Sequence, residues 1–460
     1  MLNPTGDWQI RPVSPEHLDL AALHGRHPSR YPALLESTAR NPLTGRYSIL
    51  FAFPEAQLWL DDAGRLWENG APSLAKSFLD ALNQRTRNFS AAHPCPLPFC
   101  GGMFVYLGYE FLSQIEQIRI PRGPQALPQA FALSIQGAVI QDHLEGAVWL
   151  VAGGDKAESR LERMAADINA CHSLPIEPTS IRIQSLREDP ETRFLNGVKW
   201  IKDYVRNGDI FQANLSRAWC LTLQSPDPLQ IYRQLCLHNP APFAGFFRWK
   251  DQYVLSSSPE RLLYWDRETL SSRPIAGTRP RLPGCDASLT RELIGHPKER
   301  AEHIMLIDLI RNDLGRVCQP GSIEVDELMA IESYSHVHHI VSNVRGKTRA
   351  GIRHGQMLAA LFPGGTITGC PKVRSMEIIA EVEDTPRGPY TGSMGYISRD
   401  GKMDMNILIR SMWLNENNLS FRAGAGIVAD SDPELELLET RAKARALLRA
   451  LGLSDAGRPG

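Results

Sequence analysis

The chain of 460 residues exceeds what one hydrophobic core usually organises, so one large or two closely packed domains are expected. Its 50 basic and 51 acidic side chains nearly cancel, and no Lys/Arg-rich block stands out, which excludes the electrostatic footprint of a nucleic-acid binder and favours a small-molecule substrate. The first residues lack a basic segment leading into an apolar core, and no apolar run nears the roughly 20 residues that cross a bilayer, so a cytoplasmic protein with no membrane partner is expected. The eight cysteines form no C-x-x-C pair, which predicts reduced, mostly buried thiols.

Up to about residue 175, short apolar runs (Tyr47 to Phe53, Ala147 to Ala152) are separated by Pro-rich connectors such as His93 to Phe99 and Pro121 to Pro128, a strand-rich pattern. Between Ser173 and Thr192 the chain turns polar and Pro-punctuated. A helical pattern then opens near Phe194, with Val198, Ile201 and Val205 on its apolar face. This places a boundary near residue 185, between an N-terminal region over 1–180 and a catalytic region over 190–455. In the second region short strands (Gln252 to Ser256, Leu419 to Ala423) alternate with periodic helices, a spacing closer to α+β than to doubly wound α/β.

A helix is predicted to start at Pro297, with Glu299 and Glu302 three apart on one face. A second starts at Asp432-Pro433. There Glu436, Glu439 and Lys443 share a face, while Leu435, Leu438 and Ala442 form the apolar stripe. Carboxylates from separate helices, completed by waters and a ligand oxygen, suit Mg²⁺ better than zinc or calcium. The same spacing also suits an ordinary i, i+4 surface pair and a decorated helix start.

Around Gly424, Ala425 and Gly426 the absence of bulky side chains lets backbone N–H groups approach an anionic ligand, or makes a plain β-turn. No dinucleotide or P-loop glycine pattern is present, which disfavours nucleotide binding. In SYSHVHHIVS a strand alternates its side chains, so His339 faces away from His336 and His338; one substrate-contacting histidine among solvated ones is expected, not a zinc site. The stretch from Thr366 to Arg374 reads as a Gly/Pro-rich loop entering a helix, with Lys372 and Arg374 either binding carboxylates or merely solvated.

Taken together, PIAGTRPR (274–281), PKERAEHIMLIDLIRNDLGR (297–316), SYSHVHHIVS (333–342), TITGCPKVRSMEII (366–379), YTGSMGY (390–396), GAGIV (424–428) and ELELLETRAKA (434–444) resemble the chorismate-utilising enzymes. LLES (34–37), RYS (46–48) and GGMFVYLGYE (101–110) extend the likeness over most of the chain. The resemblance implies an α+β, anthranilate synthase component I-like fold of two packed antiparallel sheets flanked by helices, with N- and C-terminal parts interleaved. It also implies Glu302 and Glu439 as direct Mg²⁺ ligands, backed by Glu299 and Glu436. Tyr390, Arg410, Lys443 and the Gly424–Ala425–Gly426 backbone are implied as holders of the carboxylates of chorismate, with Thr366 and His339 near its ring and leaving group. Glu260 corresponds to the family's general acid, which needs a raised pKa.

Where water-using members of the family carry a lysine base, this chain has Gln212, and an amide cannot take a proton from water, so ammonia is the implied nucleophile. No glutaminase pattern is fused to the chain, which implies a separate glutamine amidotransferase subunit. The wording of Pro297 to Arg410, Thr368 included, is most similar to the aminodeoxychorismate synthase component I branch, which feeds 4-aminobenzoate and folate. Ala276 argues for anthranilate synthase component I and tryptophan biosynthesis instead, because some para-branch members have a lysine nucleophile in PIKGT. Leu35, Glu36 and Ser37 resemble the tryptophan site of anthranilate synthases, or a structural pocket of the same wording. A catalytically silent binding or regulatory relative is the alternative of another class.

Overall fold

A computed structural model of the chain describes residues 8–39, 44–89, 95–121, 123, 127–171, 181–281, 297–333 and 337–453. Two long strands, Tyr47–Leu60 and Ala130–Asp142, pair along most of their length. Phe53 at φ 57° and a register shift between Pro54 and Ala56 bend the ladder. A bulge of this kind lets one strand pair serve two sheets.

The half before the bend belongs to a sheet that continues through Ala33–Glu36, Phe243–Trp249, Gln252–Ser258, Ser411–Asn415 and Asn418–Ile427 to Gln212–Leu223 and Ile183–Glu188. The other half leads through Gly102–Leu107, Ser393–Ser398, Met403–Asn406, Arg261–Trp265 and Thr269–Arg273 to Val337–Lys347. That last strand carries Ile275–Pro280 and Glu324–Ser333. All these pairings are antiparallel, and the architecture is α+β. Strands from both sides of residue 185 share both sheets, so the change of composition there separates no two sheets.

Between the sheets lies an aromatic layer that includes Phe51, Phe104, Phe131, Phe247, Trp249 and Tyr396. Phe247 meets Phe104 edge-on at 5.8 Å and Phe131 at 5.2 Å between ring centroids, the offset geometry that aromatic quadrupoles favour. The outer face of one sheet packs on the helices Leu20–Arg26, Ala157–Ala170, Pro228–His238 and Pro433–Ala450, and that of the other on Phe78–Arg85, Pro297–Gly315 and His354–Leu361. No helix among the described residues is long and apolar enough to cross a membrane.

The helix Pro433–Ala450 starts where expected: the Asp432 carboxylate accepts the N–H groups of Glu434 at 3.0 Å and Leu435 at 3.1 Å. Its buried face is not the expected one. Leu437, Thr440, Ala444, Leu447 and Leu448 turn inward, whereas Leu435 and Leu438 are 65% and 56% exposed and Ala442 is exposed. Two apolar stripes fit this sequence, and packing against the sheet selects the one centred on small residues. Among the described cysteines, Cys95, Cys100, Cys171 and Cys318 are buried and Cys220, Cys236 and Cys370 half-buried, all as free thiols; Cys285 lies outside the described residues.

Candidate active site

The site forms where the Gln212–Leu223 strand lies against Asn418–Ile427, with Asn214 opposite Gly426 and Ser216 opposite Gly424. Residues 424–426 therefore form a strand and not a turn. On an antiparallel strand the N–H and C=O of one residue leave by the same edge. The Gly424 carbonyl accepts from Lys443 Nζ at 2.9 Å, so the amides of Gly424 and Gly426 open toward the site and that of Ala425 turns to the paired strand. Side chains are excluded here. A Cβ on Gly424 would come within 2.6 Å of Asn214 Oδ1 and 2.8 Å of the Tyr390 hydroxyl, and one on Gly426 within 2.2 Å of Gln212 Nε2.

Two helices bring acids to this edge. Gln212 Nε2 donates to Glu302 Oε1 at 2.8 Å, and Glu439 Oε1 pairs with Lys443 Nζ at 2.7 Å. Burial pushes the Glu302 carboxyl up; the Gln212 amide opposes this, Glu299 adds to it, Lys443 opposes it and Glu439 adds to it. Glu302, Glu299, Glu439 and Lys443 thus share one electrostatic neighbourhood. Glu436 is buried one turn before Glu439. As the side chains stand, no three His, Cys, Asp or Glu groups among the described residues close on one point. The donor set is nonetheless all oxygen, half-buried at Glu302 and mutually repelling, the chemistry of a hard divalent cation site.

Glu260 follows the Gln252–Ser258 strand and is buried. Burial raises its carboxyl to about 7, against the opposing influence of the Thr366 hydroxyl, the Ile275 N–H and the Lys443 charge. The Thr366 hydroxyl, in the 3-10 turn Gly365–Ile367, is buried without a hydrogen bond of normal geometry, although close enough to favour the charged form of Glu260. Ala276, next to Ile275, is buried opposite Ile340. Thr368 is spent on its own loop, where its hydroxyl donates to the Gly364 carbonyl at 2.9 Å.

His339 is buried, and burial together with the nearby Arg410 charge lowers it to about 4, against a hydrogen bond to the Gly277 carbonyl. It is neutral at physiological pH. His338, expected to be solvated, is also buried, with Nδ1 2.7 Å from Ser333 Oγ; His336 lies outside the described residues. Arg410 donates to the Lys443 carbonyl, and Tyr390 is buried, its hydroxyl facing Gly424. Lys372 and Arg374 open a helix, Lys372–Glu383, and neither is free: Lys372 pairs with Asp313 and Arg374 with Asp209 and Glu377.

One part of the site was not anticipated. Glu383 binds Arg387 at 2.6 Å and Arg422 at 3.1 Å, and accepts from the Ser216 N–H and hydroxyl at 2.8 and 2.9 Å. Burial alone would raise Glu383; Arg387 and then Arg422 outweigh it and hold the carboxyl below its ordinary range. Arg387 also donates to the Asn214 carbonyl at 2.7 Å and lies 5.6 Å from the Tyr390 ring centre. This buried network fixes the floor on which Asn214 and Tyr390 stand.

Leu35 and Glu36 end the Ala33–Glu36 strand, and Ser37 follows it. Ser37 Oγ lies 2.8 Å from the Tyr47 carbonyl and 3.0 Å from that of Pro242, and the half-buried Glu36 accepts from the Tyr232 hydroxyl at 3.0 Å.

Carboxylates from two helices, backbone amides, Arg410 and a buried acid thus lie about one edge of the sheet. The family model of the chorismate binding enzymes matches residues 33–449, and the chain belongs to this family. It is 40% identical over 472 residues to an anthranilate synthase component I-like protein of Synechocystis, covering 98% of this chain and 94% of that one. It is 39% identical to aminodeoxychorismate synthase component 1 of Bacillus subtilis, covering 93% of each. The solved anthranilate synthase component I of Streptococcus pneumoniae superposes with a TM-score of 0.79 at 30% identity, covering 89% of this chain and 93% of that one.

Proposed function

We propose that the chain is the aminating component of a two-subunit enzyme, converting chorismate and ammonia into 4-amino-4-deoxychorismate, with Mg²⁺ as cofactor and a separate glutaminase as the ammonia source. The observation that carries amination is Gln212, an amide whose Nε2 is held by Glu302 and which accepts no proton from water. Ammonia needs no such activation.

Glu302 and Glu439 would hold Mg²⁺, with Glu299 and Glu436 behind them. When bound, the ion supplies charge to bind and polarise a carboxylate of the substrate. Arg410, Tyr390 and the Gly424 and Gly426 amides orient the carboxylates. Glu260, protonated over much of its working range by burial, gives its proton to the C4 hydroxyl as that group leaves.

The ortho product, anthranilate, is the second reading, and Ala276 favours it because no lysine stands there to attack the ring. The purified chain is incubated with chorismate, Mg²⁺ and ammonium salt, with and without an aminodeoxychorismate lyase. Lyase-dependent 4-aminobenzoate is expected. Anthranilate formed without lyase sinks the para product, and no Mg²⁺-dependent consumption of chorismate supports a silent relative.

A further inference from the structure

Replacing a hydroxyl by neutral ammonia, with the amine retained as ammonium, consumes one proton. The C4–O bond breaks with its electron pair on oxygen, the oxygen takes the Glu260 proton and departs as water, and Glu260 is left as a buried carboxylate. Glu260 must regain a proton before the next turnover, and neutral ammonia brings none to spare.

Behind Glu260 lies a small cavity of about 10 Å³, lined among others by Glu260, Ser272, Asp313 and Thr366. That is room for about one water molecule, which needs two to four polar partners. They are present: two carboxylates, the Ser272 hydroxyl, which donates to the Leu262 carbonyl at 2.7 Å and keeps its acceptor capacity, and the Thr366 hydroxyl, buried without a normal hydrogen bond. The remaining wall is apolar or backbone, from Leu262, Ile310, Leu361 and Ile407. Asp313 is therefore the one ionisable group besides Glu260 in this lining. Lys372 Nζ holds its Oδ2 at 2.5 Å with both side chains 10% exposed, and its outer neighbours are Arg316 and Glu116, a pair 3.6 Å apart that reaches solvent.

We propose that this cavity holds one water molecule, held by Thr366, that passes a proton from Asp313 to the Glu260 carboxylate once per turnover. Asp313, resting as a carboxylate on the Lys372 ammonium, takes a proton from solvent, gives it to the water as the water gives one to Glu260, and returns to the ion pair. Burial raises the Asp313 carboxyl, with Lys372 opposing, the direction a proton donor needs. Asp313 touches no reacting atom; it is a positioning residue acting through Glu260.

The inference rests on the amination reading and is tested on the full chain with Mg²⁺, ammonium salt and chorismate. For Asp313→Asn, a single turnover with enzyme in excess is expected within about threefold of wild type, because Glu260 starts protonated. Steady-state kcat falls about tenfold or more with KM for chorismate within about twofold. Asp313→Glu restores most of the rate. Because Asp313→Asn leaves Lys372 unpaired, the double variant Asp313→Asn/Lys372→Met, charge-balanced, is measured beside it with the same expectation. An unchanged kcat, or a first turnover that falls in step with kcat in both variants, overturns the relay. A wild-type chain that consumes no chorismate overturns the amination reading instead. A crystal structure decides independently of turnover: an ordered water within reach of Glu260, Thr366 and Asp313 is expected, and a dry cavity overturns the relay.

Discussion

Two regions of this molecule carry family wording, and they differ in how their polar groups are satisfied. Around Leu35–Ser37 hydrogen bonds close within the chain: Ser37 meets two carbonyls, Glu36 accepts from Tyr232, and Thr38 exchanges bonds with Ala241. Around Gly424–Gly426 they do not. Gln212 Oε1 and Asn214 Oδ1 are buried without partners, and Glu302 sits in the field of Glu299 and Glu439. A folded chain tolerates such frustration where a ligand relieves it. The first region therefore closes on itself, and the second leaves buried acceptors that a ligand can meet.

The sharpest way to break this contrast is to remove an acid from the frustrated region. Glu302→Ala is expected to lower kcat/KM about 1000-fold, roughly 4 kcal/mol, and to weaken the Mg²⁺ dependence of the remaining rate, read by Mg²⁺ titration. Retained Mg²⁺ dependence would place the cation elsewhere. Next in size, Glu260→Gln is expected to cost about 100-fold or more in kcat, and wild-type kcat/KM should fall as pH rises through about 7. The folded carboxyl lies above its ordinary value, so the stability it contributes is fully present below about 4.5 and is lost as pH rises through about 7. Glu260→Gln should therefore gain stability over wild type between pH 6 and pH 9, by about 1.4 kcal/mol, the one pH unit of loss that falls in that window. Denaturant unfolding at the two pH values measures it, and a difference independent of pH would mean the carboxyl is not buried as a neutral acid.

Both acids are legible in the sequence, Glu302 by helical spacing and Glu260 by its resemblance to a family motif. The features that were not legible depend on long-range placement. Arg422 reaches Glu383 only because register sets Ser216 opposite Gly424, and Lys372 meets Asp313 across 59 residues. No local pattern announces such pairs. The small residues of 423–427 read equally as a turn, and only the ladder to Gln212–Leu223 shows them extended. Leu435 and Leu438 had the spacing of a core stripe and are exposed, because helix orientation is decided by what lies beneath it. The sheet-rich first region, the helix read as opening near Phe194, which runs Glu191–Arg206, and the α+β class followed from periodicity, which the fold retains.

Gly426→Ala probes how tightly the frustrated region is built. The methyl group would sit 2.2 Å from Gln212 Nε2 and 3.3 Å from Glu302 Oε1, so the amide must move and its bond to Glu302 is lost. Overpacking of this kind costs about 1–3 kcal/mol. A tenfold or greater loss of kcat/KM at roughly that cost in stability is expected, and unchanged kinetics would show that the Gln212–Glu302 contact is incidental.

The smallest expected effect lies in the region around Leu35–Ser37. Ser37→Ala removes a hydroxyl that bridges the Tyr47 and Pro242 carbonyls, about 1 kcal/mol of stability by denaturant unfolding, with kcat and KM unchanged. If that region is only structural, added L-tryptophan should neither slow amination nor raise the melting temperature, and Ser37→Ala should not alter that indifference. Inhibition by tryptophan that is lost in Ser37→Ala would show that satisfied hydrogen bonds here give way to a ligand's, and that the two regions differ in occupancy, not in kind.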